Sequence, residues 1–129
     1  MKTIVAGSRD IDNYQFVKGA LNNTTWTITK VISGGAMGVD KFGEIWAKSK
    51  NIPLEICPAD WSTYGKSAGY KRNVEMAKKA EALVAIWDGK SKGTKHMIDI
   101  ANNHNLVTYI VYYDDTRTSV WPFHPISFT

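Results

Sequence analysis

Short apolar runs and longer amphipathic stretches alternate along the chain. The runs at residues 2–6, 26–32, 52–56, 82–87 and 106–112 are rich in Val, Ile and aromatic side chains and predict five β-strands. Between them, apolar residues recur at helical spacing. Residues 12–22 place Tyr14, Phe16, Val17, Ala20 and Leu21 on one face, and residues 39–49 bring Phe42, Ile45 and Trp46 together for burial. Residues 68–79 offer Tyr70, Val74, Met76 and Ala77 for packing, and a shorter helix follows at 95–103. The run 82–87 is almost continuously apolar, as expected of a strand covered on both faces. Strands alternating with helices predict an α/β domain over residues 1–113 with a mainly parallel, five-stranded sheet. Residues 114–129, with two prolines and several aromatics, form a C-terminal tail outside that pattern, either an arm across the domain or a contact for a partner.

In a sheet of this kind, ligands bind beyond the carboxyl ends of the strands. Residues 7–10, 33–38, 58–67 and 88–94 all follow strands, and each segment carries glycine, hydroxyl or charged side chains. The turns at the opposite end, around Asn22-Asn23 and Asn51, are short and bland. This asymmetry predicts one composite site on one edge of the sheet. Its centre is Ser33-Gly34-Gly35-Ala36-Met37-Gly38-Val39-Asp40, between a strand and a helix. Glycines let the backbone approach a ligand closely, and the first N–H groups of the following helix point the same way, as anion binding requires. The spacing matches neither the Walker A loop nor the G-x-G-x-x-G fingerprint, so from this stretch alone a plain strand-to-helix turn stays open.

The neighbouring loops supply the rest. Gly7-Ser8-Arg9-Asp10 offers a hydroxyl and a guanidinium to phosphate or ribose; the alternative is an Arg9–Asp10 ion pair, with Asp10 or Asp12 capping a helix. Asp40 is suited to a ribose hydroxyl and equally to the first turn of its own helix. Asp60, Trp61, Tyr64 and Lys66, followed by Tyr70, Arg72 and Asn73, pair stacking surfaces with cations. Asp88-Gly89-Lys90-Ser91-Lys92-Gly93-Thr94 is a second anion-ready turn before a helix. His96, His104 and His124 have no metal-ligand spacing among themselves or with Cys57, so no metal is expected, and no Ser-His-Asp arrangement is supported. His96 reads as a solvated helix residue.

Composition narrows the class. A chain of 129 residues is long enough for one core, and 43% hydrophobic with 22% charged residues is an ordinary globular balance. No apolar run approaches the roughly 20 residues that span a bilayer, so no membrane partner is expected. A single cysteine, Cys57, excludes an internal disulfide framework and suits a reducing, cytoplasmic setting, with a buried inert thiol the expected role. The net charge of +4 is spread over lysines interleaved with acids, which favours small anionic ligands and gives no basic stripe for nucleic acid.

Taken together, Gly7-Ser8-Arg9-Asp10, Ser33-Gly34-Gly35-Ala36-x-Gly38-Val39-Asp40, Asp60-Trp61-x-x-Tyr64-Gly65-Lys66-x-Ala68-Gly69-x-x-Arg72-Asn73-x-x-Met76 and Asp88-Gly89-x-Ser91-x-Gly93-Thr94 resemble the YspA group of the SLOG superfamily. These are Rossmann-like domains, found in bacteria and phages and related to the DNA-processing protein DprA and to LOG phosphoribohydrolases. The resemblance covers about residues 3–112. It implies a three-layer Rossmann-like fold and a nucleotide or NAD-derived nucleotide ligand, cyclic forms included, sensed or sequestered in a bacterial or phage defence setting. It also favours a homo-oligomer over a monomer; DNA binding, by analogy with DprA, ranks lowest because no basic stripe is visible. The ligand-binding set so implied is Gly7, Ser8, Arg9, Ser33, Gly34, Gly35, Ala36, Gly38, Asp40, Asp60, Trp61, Tyr64, Lys66, Arg72, Asn73, Asp88, Ser91, Gly93 and Thr94, with no cofactor. LOG enzymes cleave the N-glycosidic bond of nucleoside monophosphates with an Arg that Arg72 matches and a Glu in G-G-x-G-T-x-x-E. Met97 stands at the position of that Glu. The resemblance therefore leans away from catalysis; an enzyme would need Asp40 or Asp99, beside Arg72, as its carboxylate.

Overall fold

The computed structural model describes residues 1–114 and the strand residues 125–126. Five parallel strands, β1 (Lys2–Gly7), β2 (Lys30–Ser33), β3 (Leu54–Ile56), β4 (Ala82–Trp87) and β5 (Val107–Tyr112), line up in the order β3-β2-β1-β4-β5. A short sixth strand, β6 (Pro125–Ile126), adds antiparallel to β5, with Ile110 opposite Ile126. The sheet is thus five-stranded and parallel as predicted, extended by a strand from the segment read as a tail. The remainder of that tail, residues 115–124 and 127–129, lies outside the described residues.

Alternation along the strands divides the core. Val5 on β1 and Val84 and Ile86 on β4 pack with helices α1 (Tyr14–Asn22) and α2 (Val39–Ser49). Ile4, Ala6, Leu83 and Ala85 point to the other face, where Met76 and Ala77 of α4 (Ala68–Lys79) and Met97, Ile98 and Ala101 of α5 (Lys92–Asn103) cover them. The result is a three-layer Rossmann-like arrangement. The chain leaves β1 in one direction for β2 and β3 and in the other for β4 and β5, so the switch point lies between the ends of β1 and β4.

Most element bounds follow the pattern, and the departures have local causes. β2 begins at Lys30, because the preceding residues are held elsewhere: the Trp26 indole donates to Thr3 Oγ1 and Thr29 N–H to the Met1 carbonyl. The segment 58–67 contains a short helix, α3 (Trp61–Tyr64), capped by the Asp60 carboxylate, and a 3-10 turn (Gly65–Ser67). Asn13, rather than Asp10 or Asp12, caps α1 by accepting from Phe16 N–H. α5 starts three residues before the expected Lys95, because the Ser91 hydroxyl accepts from Thr94 N–H and nucleates the turn there. Two expected core residues are exposed. Ile45 sits off the buried stripe of α2 that runs through Val39, Gly43 and Trp46, and Tyr70 stands at the rim of a cavity. Cys57 is half-buried, and burial pushes its thiol up, away from nucleophilic use.

α2 lies close on β1 because Gly43 has no side chain. A Cβ there would stand 2.7 Å from Val5 Cγ1. Gly43→Ala is therefore expected to cost about 1–3 kcal/mol through overpacking, read from urea unfolding midpoints; a change within about 0.5 kcal/mol would contradict this close packing.

Candidate functional site

All four post-strand segments meet at the switch point around a cavity of ≈ 390 Å³. Gly7 and Arg9 come from the end of β1, Ala36 and Asp40 from the glycine loop and α2, Trp61 and Lys66 from α3 and its turn. Arg72 and Asn73 of α4 and Ser91, Gly93 and Thr94 of the last loop close it. Eleven of the residues expected in the site are thereby brought together. The floor is apolar, formed by Ala6, Met76 and Met97, and Gly69 and Tyr70 complete the wall. Ala6, Gly69, Met76 and Met97 were not among the expected site residues, although Gly69 and Met76 stand inside the motif quoted for that segment. Helical spacing carries the signal: Gly69, Asn73 and Met76 fall on one face of α4.

The remaining expected residues stand behind or beside this wall. Ser8 is buried, and its hydroxyl accepts from Asp88 N–H, tying the β1 and β4 loops together. Asp88 accepts from the amides of Lys90 and Ser91, both at 2.8 Å, shaping the second loop. Gly38, at φ +74°, packs on the backbone of Ser8 and Arg9, where a Cβ would stand 2.6 Å from the Ser8 carbonyl oxygen. Asp60 and Tyr64 line a separate groove on the far side of α3, where Lys71 lies over the Tyr64 ring. Trp61 and Tyr64 are both exposed, one facing each side. Asp99 is exposed, paired with Lys95 on the surface of α5, and does not line the cavity.

The glycine loop itself is closed by its own side chains. Ser33 Oγ accepts from Gly35 N–H at 3.1 Å and donates to the buried Glu44 at 2.7 Å. Asp40 Oδ2 accepts from Ala36 N–H at 3.2 Å. A carboxylate of the protein thus occupies the place at the start of α2 that an anionic ligand was expected to take. Burial raises the Asp40 carboxyl from 3.8 to about 6, against the lowering pull of the Ala36 N–H and the Arg72 charge.

The second loop is different. Of the first amides of α5, Thr94 N–H bonds the Ser91 hydroxyl and Lys95 N–H the Ser91 carbonyl. Among the described residues none accepts from the amides of Lys92 and Gly93, and a Cβ on Gly93 would meet nothing within 4 Å. An open helix start therefore faces the cavity, with the positive end of its dipole.

Arg72 reaches from α4 to the first loop. Its Nη1 donates to the Gly34 carbonyl at 2.6 Å and its Nε to Asn73 Oδ1 at 3.1 Å. Gly34 is required for this approach, since a Cβ there would lie 2.5 Å from Nη1 and 3.0 Å from Asp40 Oδ2. Asn73 in turn meets His96, whose ring packs edge-on against Tyr70 at 4.2 Å. His96 is half-buried rather than solvated, and burial lowers its affinity for a proton. Chemically the cavity combines two guanidiniums, a lysine, open amides, an indole and one carboxyl of near-neutral pKa. Among the described residues, no helix is long and apolar enough to cross a membrane.

Comparison with known proteins agrees with the fold. The Gene 61 protein of Mycobacterium phage D29 is 39% identical over 72 residues, 51% of this chain and 58% of that protein. In fold, the chain is similar to DNA processing protein A (DprA) from Streptococcus pneumoniae, with a TM-score of 0.67 over 91% of this chain and 52% of that one. Sequence identity to it is 14%, so this likeness concerns the fold alone. The chain spans little more than half the length of either protein. The model of the YspA, cpYpsA-related SLOG family matches residues 1–64, which carry β1, the glycine loop and Trp61. The fold and the phage relative agree with that match, so residues 1–64 of the chain are similar to the YspA, cpYpsA-related SLOG family.

Proposed function

We propose that the cavity binds a nucleotide or NAD-derived nucleotide, cyclic forms included, and that the protein senses or sequesters this molecule in a bacterial or phage defence setting. The observation that carries the reading is the convergence of open α5 amides, Arg9, Arg72, Lys66 and the Trp61 indole on one cavity of ≈ 390 Å³. That volume falls within the roughly 300–1,000 Å³ of small-molecule sites. In this reading phosphate lies at Ser91-Lys92-Gly93, where the helix dipole and the guanidiniums add, and a base stacks on Trp61. The match to the SLOG family model fits a nucleotide-related function; the identity of the ligand and the defence role are the proposal.

A second reading, hydrolysis of the ligand, is favoured by Asp40 alone. Its carboxyl lines the cavity and has a pKa of about 6, the range in which a general acid or base is useful at neutral pH. Incubation with AMP, NAD and cyclic ADP-ribose followed by chromatography separates the readings. Intact ligand recovered after heat denaturation supports binding, whereas free base or ribose phosphate supports hydrolysis. The expectation against nucleic acid gains no support from a relative named for DNA processing, so a single-stranded oligonucleotide belongs among the titrants.

Calorimetric titration with AMP is expected to show Arg72→Ala weakening affinity at least about tenfold, as for loss of a charged hydrogen-bonding partner. Gly93→Glu is expected to leave the melting temperature unchanged or raised, because an acid suits the first turn of a helix, while abolishing AMP binding. Normal binding in Gly93→Glu would remove the phosphate from α5. Asp40 also makes stability depend on pH. Its folded pKa lies above the unfolded value, so its contribution is fully present below pH 3.8 and is lost as pH rises through about 6. Asp40→Asn should therefore gain on the wild type by on the order of 2–3 kcal/mol between about pH 4 and pH 6, and by no more beyond it. A difference that stays flat across that window in thermal melts would contradict the buried, perturbed carboxyl.

A further inference from the structure

We infer that His96 is a positioning residue of this site: through Asn73 it sets the guanidinium of Arg72, and protonation of its imidazole loosens Arg72 from the cavity wall. The effect on ligand affinity rests on the nucleotide reading above, whereas the coupling of His96 to Arg72 stands without it.

The hydrogen-bond types along the chain of contacts allow one arrangement. A guanidinium has donors and no acceptor, so Arg72 Nε, 3.1 Å from Asn73 Oδ1, requires the amide oxygen of Asn73 on its side. The Asn73 NH₂ must then face His96, and it lies 3.0 Å from Nδ1. An NH₂ group offers only donors here, so Nδ1 must carry the lone pair and the ring proton sits on Nε2. His96 is neutral in this state. Protonation puts an N–H on both ring nitrogens and brings two donors face to face. Relief by turning the Asn73 amide would set its NH₂ against Arg72 Nε–H, which breaks the next link. Asn73 is 6% exposed, so water cannot readily take up the lost bonds.

The surroundings give the imidazole little other relief. From α4, Tyr70 packs edge-on against the ring at an interplanar angle of 79°, and Asn73 and Arg72 complete that side. On α5 the charged neighbours are Lys95 and Asp99, paired with each other at 3.0 Å. The strands beneath α5 present the apolar Ile4, Leu83, Ala85 and Ile110. Burial works against the imidazolium and Asp99 works for it, with burial the larger influence.

The test uses the ligand-free, isotope-labelled protein and AMP as the probe ligand. Long-range imidazole NMR spectra should show His96 as the Nε2–H tautomer at neutral pH, titrating below the ordinary 6.5. The Arg72 Nε–H resonance should move with the same midpoint. His96→Asn places an acceptor that cannot be protonated where Nδ1 stands, so it should retain AMP affinity at neutral pH and show a smaller acid-side fall, with only the share of Asp40 and the AMP phosphate left. His96→Leu removes the acceptor and should weaken AMP binding by about tenfold at either pH, the usual scale for one lost hydrogen bond. A Nδ1–H tautomer overturns the inference. So does an Arg72 Nε–H resonance that ignores the His96 titration, or one that moves equally in His96→Asn, which would assign the movement to Asp40. If AMP fails to bind the wild type, the nucleotide reading falls, and the tautomer and the Arg72 response still decide the relay.

Discussion

The hydrogen bond from the Ala36 amide to the Asp40 carboxylate governs how this site is built. A glycine turn at the start of a helix exposes donors that need an anion. Here α2 supplies its own, four residues along the chain, and Ser33 takes the neighbouring Gly35 amide while holding Glu44. The loop is thereby self-contained. Its glycines serve packing: Gly38 admits the backbone of Ser8 and Arg9, and Gly34 admits Arg72 and the Asp40 carboxylate side by side.

Once the first loop is closed from within, attraction for an external anion passes to the second. The Asp88 carboxylate folds the turn by binding the amides of Lys90 and Ser91, and the Ser91 hydroxyl caps Thr94. What remains open among the described residues is the pair of amides at Lys92 and Gly93 at the start of a long helix, with Gly93 lining the cavity. Arg72 is anchored to the first loop at the Gly34 carbonyl, feels the Asp40 charge, and is linked through Asn73 to His96 of α5. The apolar floor of Met76 and Met97 raises the strength of these interactions by keeping their surroundings less polar than water. Met97 stands at the position where the resemblance to LOG proteins would put a glutamate, and Asp40 is the carboxyl that lines the cavity among the described residues.

The parallel sheet, its helices and the meeting of four loops at one edge were legible in the chain because period and turn chemistry are local properties. The run 82–87 and the face Phe16, Val17, Ala20 and Leu21 of α1 express them directly. What the sequence left open concerns partners distant along the chain. Asp40 could serve a ribose or its own loop, and only the fold shows Ala36 N–H within its reach. His96 resembled any polar residue on a solvated helix until α4 packed beside α5 and set Asn73 against it. Ile45 was misread because three apolar residues at helical spacing leave the choice of buried stripe to tertiary packing, and Gly43 decides that choice by admitting Val5. Ser8 looked like a ligand contact, yet its hydroxyl is engaged by Asp88 N–H at 3.1 Å across the switch point.

A crystal structure with AMP or ADP-ribose bound tests the central claim most directly. The account predicts a phosphate against the amides of Lys92 and Gly93, with Asp40 still bonded to Ala36 N–H and Arg72 still at the Gly34 carbonyl. A phosphate seated on the amides of Gly35 and Ala36, with the Asp40 carboxylate displaced, would contradict it.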